Sequence, residues 1–135
     1  THDIQQVASA LRDRFGPESV ATYYGAPPQD ERQQIVENFQ QKDHPLRFFV
    51  GQPKTGGYGI TLTAANTVVY YSNSYDLEIR LQSEDRAHRI GQDNKVTYID
   101  LVSPGTIDEK ILEALRSKID IAGKVLGEEV QDWLR

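Results

Sequence analysis

The sequence predicts an α/β domain with a mainly parallel central sheet and helices on both faces. Short β-branched and aromatic runs alternate with stretches whose apolar residues recur at helical spacing, the pattern that crossover helices between parallel strands produce. The breaks between them are short and carry glycine and proline, with no internal repeat, low-complexity tract or linker, so the 135 residues form one domain. A hydrophobic fraction of 38% and a charged fraction of 26% are those of an ordinary globular domain with a sizeable core.

In chain order, Ile4, Val7, Ala8, Leu11 and Phe15 form the apolar stripe of a first helix, which Gly16-Pro17 stops. Val20 to Tyr24 reads as a buried strand, and Pro27-Pro28 opens a helix with Ile35, Val36 and Phe39 inward. Leu46 to Val50 is strand-like and runs into the glycine-crowded loop Gly51 to Gly59. Thr67 to Tyr71 is a third strand, Asp76 to His88 a helix and Val96 to Val102 a fourth strand. Thr106 and Glu109 have the spacing of a capping box before the stripe Ile107, Ile111, Leu115 and Ile119, and a short final helix is expected around Trp133, itself expected as a packing or interface residue. Tyr23, Tyr24, Tyr70 and Tyr71 fall in strand runs and are expected in the core or on a sheet face. Ligands of such sheets bind beyond the carboxyl ends of the strands, here the loops after Val50, Tyr71 and Val102.

Composition removes several classes of function. With no cysteine, disulfides and thiolate metal sites are excluded, and His2, His44 and His88 lack ligand spacing, so no metal site is expected. No apolar run spans a bilayer and no signal-like segment opens the chain, so no membrane partner is expected; the expected location is intracellular, cytoplasmic or DNA-associated. Fifteen basic against 20 acidic residues leave a net charge of −5, a poor trap for a polyanion. Any nucleic-acid contact is expected to use a few placed groups beside a more basic partner.

Two constellations carry possible chemistry. In Lys54-Thr55-Gly56-Gly57-Tyr58-Gly59, the glycines let backbone N–H groups approach an anion and Lys54 adds a charge, although an ordinary glycine turn has the same composition. In the helix expected over Asp76 to His88, Gln82, Arg86 and Arg89 at i, i+4 and i+7 share one face. Two guanidinium forks and an amide there suit a polyphosphate, and a solvated face with pairs such as Asp85–Arg89 is the competing reading. Asp30-Glu31 reads as first-turn acid favoured by the helix dipole, and Gly123-Lys124 lacks the remainder of a phosphate-binding P-loop, so the sequence holds no Walker A motif.

Gln82-x-x-Asp85-Arg86-Ala87-His88-Arg89-Ile90-Gly91-Gln92 resembles motif VI of the Swi/Snf family of superfamily-two helicase-like ATPases. Gly56-Gly57-Tyr58-Gly59-Ile60-Thr61-Leu62-Thr63-Ala64-Ala65 resembles its motif V; Gly25, Arg32, Phe39 and the segment Thr106 to Ile111 match in the same order. The chain departs from the family at Thr61, at Gln52-Pro53 and at Ser74-Tyr75-Asp76-Leu77.

The resemblance implies the second RecA-like lobe, a three-layer α/β unit, of an ATP-dependent translocase or helicase on double-stranded DNA. Arg86 and Arg89 fall where the family's arginine fingers stand; Gln82, Gly57 and Gly59 fall on the nucleotide side; Lys54, Thr55 and Gly56 fall in the loop facing DNA. ATP and Mg²⁺ are expected mainly on an N-terminal RecA-like lobe of the same protein, so this chain by itself is expected to be inactive. The resemblance also places a buried strand immediately before the first helix, upstream of Thr1, and self-association is expected of a sheet lacking it. The alternative is a non-catalytic RecA-like adaptor that binds nucleic acid or a partner protein. A flavodoxin-like small-molecule enzyme fits poorly, because no acid, base or nucleophile cluster accompanies the arginines.

Overall fold

The computed structural model describes residues 2–25, 28–54 and 60–126. Along the chain these form α1 (His2–Phe15), β1 (Val20–Tyr23), α2 (Gln29–Gln40), β2 (Phe48–Gly51), β3 (Thr67–Tyr70), α3 (Leu77–Glu84), β4 (Thr97–Asp100) and α4 (Ile107–Leu126). β1 pairs in parallel with β2, Val20 opposite Phe48, and β3 pairs in parallel with β4, Thr67 opposite Thr97. Among the described residues the two pairs are separate two-stranded sheets.

α1 buries Ile4 and Ala8, one turn apart, against β1 and β2. It stops at Gly16, whose φ of 104° is open to glycine and whose N–H closes on the Arg12 carbonyl at 2.8 Å. Phe48 and Phe49 are neighbours on β2 and therefore point to opposite faces. Phe15 of α1 meets Phe48 with centroids 4.9 Å apart, and Phe39 of α2 meets Phe49 edge-on at 5.6 Å. The β1–β2 pair thus carries a helix on each face, the layering that the sequence predicts. At the end of β2, a Cβ on Gly51 would stand 2.8 Å from the Tyr23 carbonyl, so only glycine fits this approach of the strands. Asp30 and Glu31 lie in the first turn of α2, where the helix dipole favours them.

On β3 and β4 one face points to α3 and carries Tyr70, Tyr98 and Asp100; Tyr70 is buried. The other face, with Val69 and Ile99 side by side in the register, is open, at 54% and 42% exposed. Tyr71 lies just past β3 and is exposed, contrary to the expectation of a sheet-face tyrosine, because the strand ends at Tyr70. In α4, Leu115 is buried while Ile107, Ile121 and Val125 are exposed. The Thr106 hydroxyl caps α4 by accepting from the Asp108 N–H at 3.2 Å. Asp108 accepts from the Ser103 N–H at 3.2 Å, three residues ahead of the cap, a different bond from the Glu109-to-cap contact that the capping-box spacing predicts. The expected tail helix and Trp133 lie outside the described residues.

Candidate functional site

The loops leaving β2 and α3 meet at the carboxyl ends of the strands. α3 starts at Asp76, whose carboxylate accepts from the Ile79 N–H at 3.2 Å, and ends at Glu84, four residues short of the helix expected to run to His88. The chain then tightens: Arg86 N–H reaches back three residues to the Ser83 carbonyl at 3.4 Å and Ala87 N–H to the Glu84 carbonyl at 3.3 Å. This tightening takes Arg86 and Arg89 off the stripe that carries Gln82, so the three do not share one helical face. Gln82 is exposed and donates to Glu78 at 3.2 Å, along the outside of α3.

The two arginines turn instead toward the glycine loop. Arg86 Nη2 donates to the Pro53 carbonyl at 2.7 Å, before the loop, and Arg89 Nη1 to the Ile60 carbonyl at 3.3 Å, after it. Lys54, between them in sequence, is exposed. Thr55, Gly56, Gly57 and Gly59 lie outside the described residues. Leu62 N–H donates to the Arg86 carbonyl at 2.8 Å. Gln92, the last residue of the motif, sends its amide nitrogen to three carbonyls, of Thr63 at 3.0 Å, Ala65 at 2.7 Å and Ala87 at 3.1 Å. From α2, Gln40 donates to the Thr63 hydroxyl at 2.9 Å and accepts from the Ala64 N–H at 2.8 Å.

Burial lowers the pKa of Arg86, so its surroundings press against the positive charge. The group stays cationic at neutral pH, and the neutral Pro53 carbonyl leaves its charge uncompensated by that contact. An anion arriving there would relieve the same pressure. Arg89 also borders an open cleft of about 750 Å³ lined by Thr61, Asp85, His88, Lys95 and Tyr98, among others. Arg86 does not line that cleft.

Arg80 escaped the sequence reading as a site residue. Its guanidinium donates to Glu84 Oε1 at 2.7 Å, to both oxygens of Asp100 at 2.6 and 3.2 Å and to Asn73 at 2.7 Å, and stacks 3.6 Å above the centroid of Tyr70. Burial opposes its charge, but the bonds to Asp100 and Glu84 outweigh that and raise its pKa. For Asp100 burial likewise opposes ionisation, yet hydrogen bonds from Arg80 and Asn73 hold its carboxyl below the usual carboxylate range. For Glu84 burial prevails and raises the pKa, because its Oε2 is buried without a partner. Burial also pushes the Tyr70 hydroxyl up to about 12. The only signal in the sequence was the i, i+4 spacing of Arg80 and Glu84; the partner that completes the lock, Asp100, is 20 residues away. Among the described residues no group of His, Asp and Glu is placed to hold a metal, and no helix is long and apolar enough to cross a membrane.

Residues 1–91 match the family described as helicase conserved C-terminal domain. The chain is 41% identical over 103 residues to the chromatin-remodeling ATPase INO80 of Cryptococcus neoformans, covering 76% of this chain and 6% of that protein. It is 37% identical over 97 residues to the transcription regulatory protein SNF2 of Saccharomyces cerevisiae, covering 72% and 6%. It therefore spans a small part of the length of these relatives. Among solved structures, the C-terminal part of the Fun30 ATPase domain superposes with a TM-score of 0.73 at 26% identity, covering 85% of this chain and 37% of that one.

Proposed function

The chain belongs to the helicase conserved C-terminal domain family, in its Swi/Snf branch, and from that premise we propose that it is the second RecA-like lobe of an ATP-dependent translocase on double-stranded DNA. Its role is to bring Arg86 and Arg89 to the γ-phosphate of ATP and Mg²⁺ bound mainly on an N-terminal lobe of the same protein. Gln82, Gly57 and Gly59 are assigned to the nucleotide side, and Lys54, Thr55 and Gly56 to the DNA backbone. A positioned arginine at a transferring phosphoryl group contributes on the order of 10³–10⁵ in rate.

The observation that carries this reading is the tie between the arginines and both flanks of the glycine loop, at Pro53 and at Ile60. When Arg86 moves to a phosphate it must release Pro53, so the two contacts exclude each other. Nucleotide state and the DNA-facing loop are then coupled through one hydrogen bond, and a ligand that prefers the released state shifts the population toward it. The same reading places a parallel strand ahead of α1, between β2 and β3, supported by the two unjoined parallel pairs.

The test is phosphate release by the complete ATPase, with and without duplex DNA, for wild type and Arg86→Ala. Loss of DNA-stimulated turnover with ATP binding retained is expected. Unchanged turnover would favour the non-catalytic adaptor.

A further inference from the structure

The buried cluster around Arg80 lies outside every group assigned above to nucleotide or DNA. Arg80 is 7% exposed. Its partners come from four places: Tyr70 ends β3, Asn73 follows it, Asp100 ends β4 and Glu84 ends α3. One planar fork thus joins the carboxyl ends of two strands to the last turn of a helix. A second set of bonds closes around it: Tyr70 and Ser83 hydroxyls at 2.7 Å, Ser83 to the Arg80 carbonyl at 2.7 Å, and Tyr98 hydroxyl to the Glu84 carbonyl at 3.2 Å. Apolar side chains of similar volume would hold α3 on the sheet at least as well, because buried ion pairs bear a large desolvation cost. What they lack is the fixed direction and register of a bidentate fork.

The direction is spent two residues later. The Glu84 carbonyl that Tyr98 holds also accepts from Ala87 N–H at 3.3 Å and His88 N–H at 3.1 Å, so the turn bearing Arg86 is hung from this point. Ala87 is 3% exposed, which leaves little room for the turn to drift.

We propose that Arg80 is the positioning residue for Arg86: by locking Glu84 to Asp100, it fixes where the chain leaves α3 and so aims the Arg86 guanidinium. The geometric half stands on the contacts above; the catalytic half rests on the reading of Arg86 under Proposed function.

The experiment separates the two. In the chain itself, nitrogen-15 spectra report the Arg86 Nε–Hε signal and exchange of the Leu62 amide, which donates to the Arg86 carbonyl. In Arg80→Lys the Arg86 signal is expected to move to that of a free arginine and Leu62 exchange to rise about tenfold, while the amides of β1 stay protected. A folded Arg80→Lys chain with both signals at wild-type values overturns the proposal. If Arg80→Lys does not fold, Asp100→Asn weakens the Arg80 fork and leaves Arg80 in place; it should shift the same two signals less, and no shift overturns the proposal. In the complete ATPase, Arg80→Lys should lower DNA-stimulated kcat by at least about tenfold, since small misplacements of catalytic groups cost on that order, and leave KM for ATP within about twofold. It should add no further loss to Arg86→Ala, and additive losses overturn the positioning role. A displaced Arg86 with unaltered turnover supports the positioning and sinks the nucleotide reading of Arg86.

Discussion

The Nη2 group of Arg86 donates to the main-chain carbonyl of Pro53 across 2.7 Å, joining the turn after α3 to the loop after β2 over 33 residues of sequence. In the complete ATPase, Arg86→Ala and Arg89→Ala should each lower DNA-stimulated turnover by about 10³ or more and leave ATP binding largely intact, because a finger acts mainly on the transition state. Arg86→Lys should not rescue, since a single ammonium cannot replace the planar, bidentate fork at a phosphate. Phosphate-release kinetics beside nucleotide-binding titrations check both; near-wild-type turnover in the two alanine variants would remove the motif VI assignment.

Gln92 is the staple between the two motifs, one amide nitrogen serving three carbonyls. Gln92→Ala leaves those acceptors without that donor and should cost about 1–3 kcal/mol. Gln92→Glu should cost more, since it sets a carboxylate against carbonyl oxygens. Urea denaturation measures the loss, and an unaltered midpoint for Gln92→Ala would show that the staple is redundant.

The alternation of strands and helices was legible because hydrophobic period is local: Ile4 and Ala8, or Phe39, face inward by spacing alone. The motif residues, Arg86 and Arg89 among them, are legible as types. Their placement is not, because α3 gives way at Glu84 to a tighter turn, and the helix is held by Arg80 to Asp100 of β4, a tertiary contact that no helical periodicity encodes. The same holds for Gln92 and Gln40, whose partners are 27 and 23 residues distant. Polar networks of this kind are specified by three-dimensional satisfaction of donors and acceptors, while a sequence pattern reports burial.

Arg80 bridges two carboxylates whose pKa values move in opposite directions, so their pH dependences oppose each other. The Asp100 pKa is depressed: its contribution to stability is present above the ordinary value of 3.8 and is lost as pH falls through the lower native value. The Glu84 pKa is raised: its contribution is present below 4.5 and is lost as pH rises through the higher native value. Asp100→Asn should therefore destabilise at neutral pH, by on the order of 3 kcal/mol, with the deficit shrinking in acid. Glu84→Gln should compare more favourably with wild type at neutral pH than below 4.5. Thermal midpoints for the three proteins between about pH 3 and about pH 7 give the two slopes, and slopes of the same sign would contradict the assignment.

With no P-loop in its 135 residues and a net charge of −5, the chain alone should release no phosphate from ATP above background, with or without DNA. Its affinity for duplex DNA should be in the non-specific range, about 10⁻⁴ M or weaker at physiological salt, with a shallow salt slope because few phosphates are neutralised. Fluorescence anisotropy at two ionic strengths decides it, and a nanomolar dissociation constant would point to a self-sufficient binding module.

Among the described residues the two parallel pairs are not joined, and the proposed lobe would place a strand between them. α1 lies over both β1 and β2 and leads into β1. In a right-handed crossover the helix covers the strands between its two ends, so a strand feeding α1 belongs beyond β2 and away from β1. That is the edge which, in the proposed lobe, faces β3. Filling it would offer ladder partners to the outer edges of β2 and β3 and join two small sheets into one. Unfilled, the same edges can take a strand from a second molecule. A chain extended by the coding sequence ahead of Thr1 should therefore melt at a higher temperature and stay monomeric, and the chain from Thr1 should associate as its concentration rises. Sedimentation velocity and thermal melts of both forms test this. A monomeric chain from Thr1 with the same melting temperature as the extended form would show that the two sheets need no fifth strand.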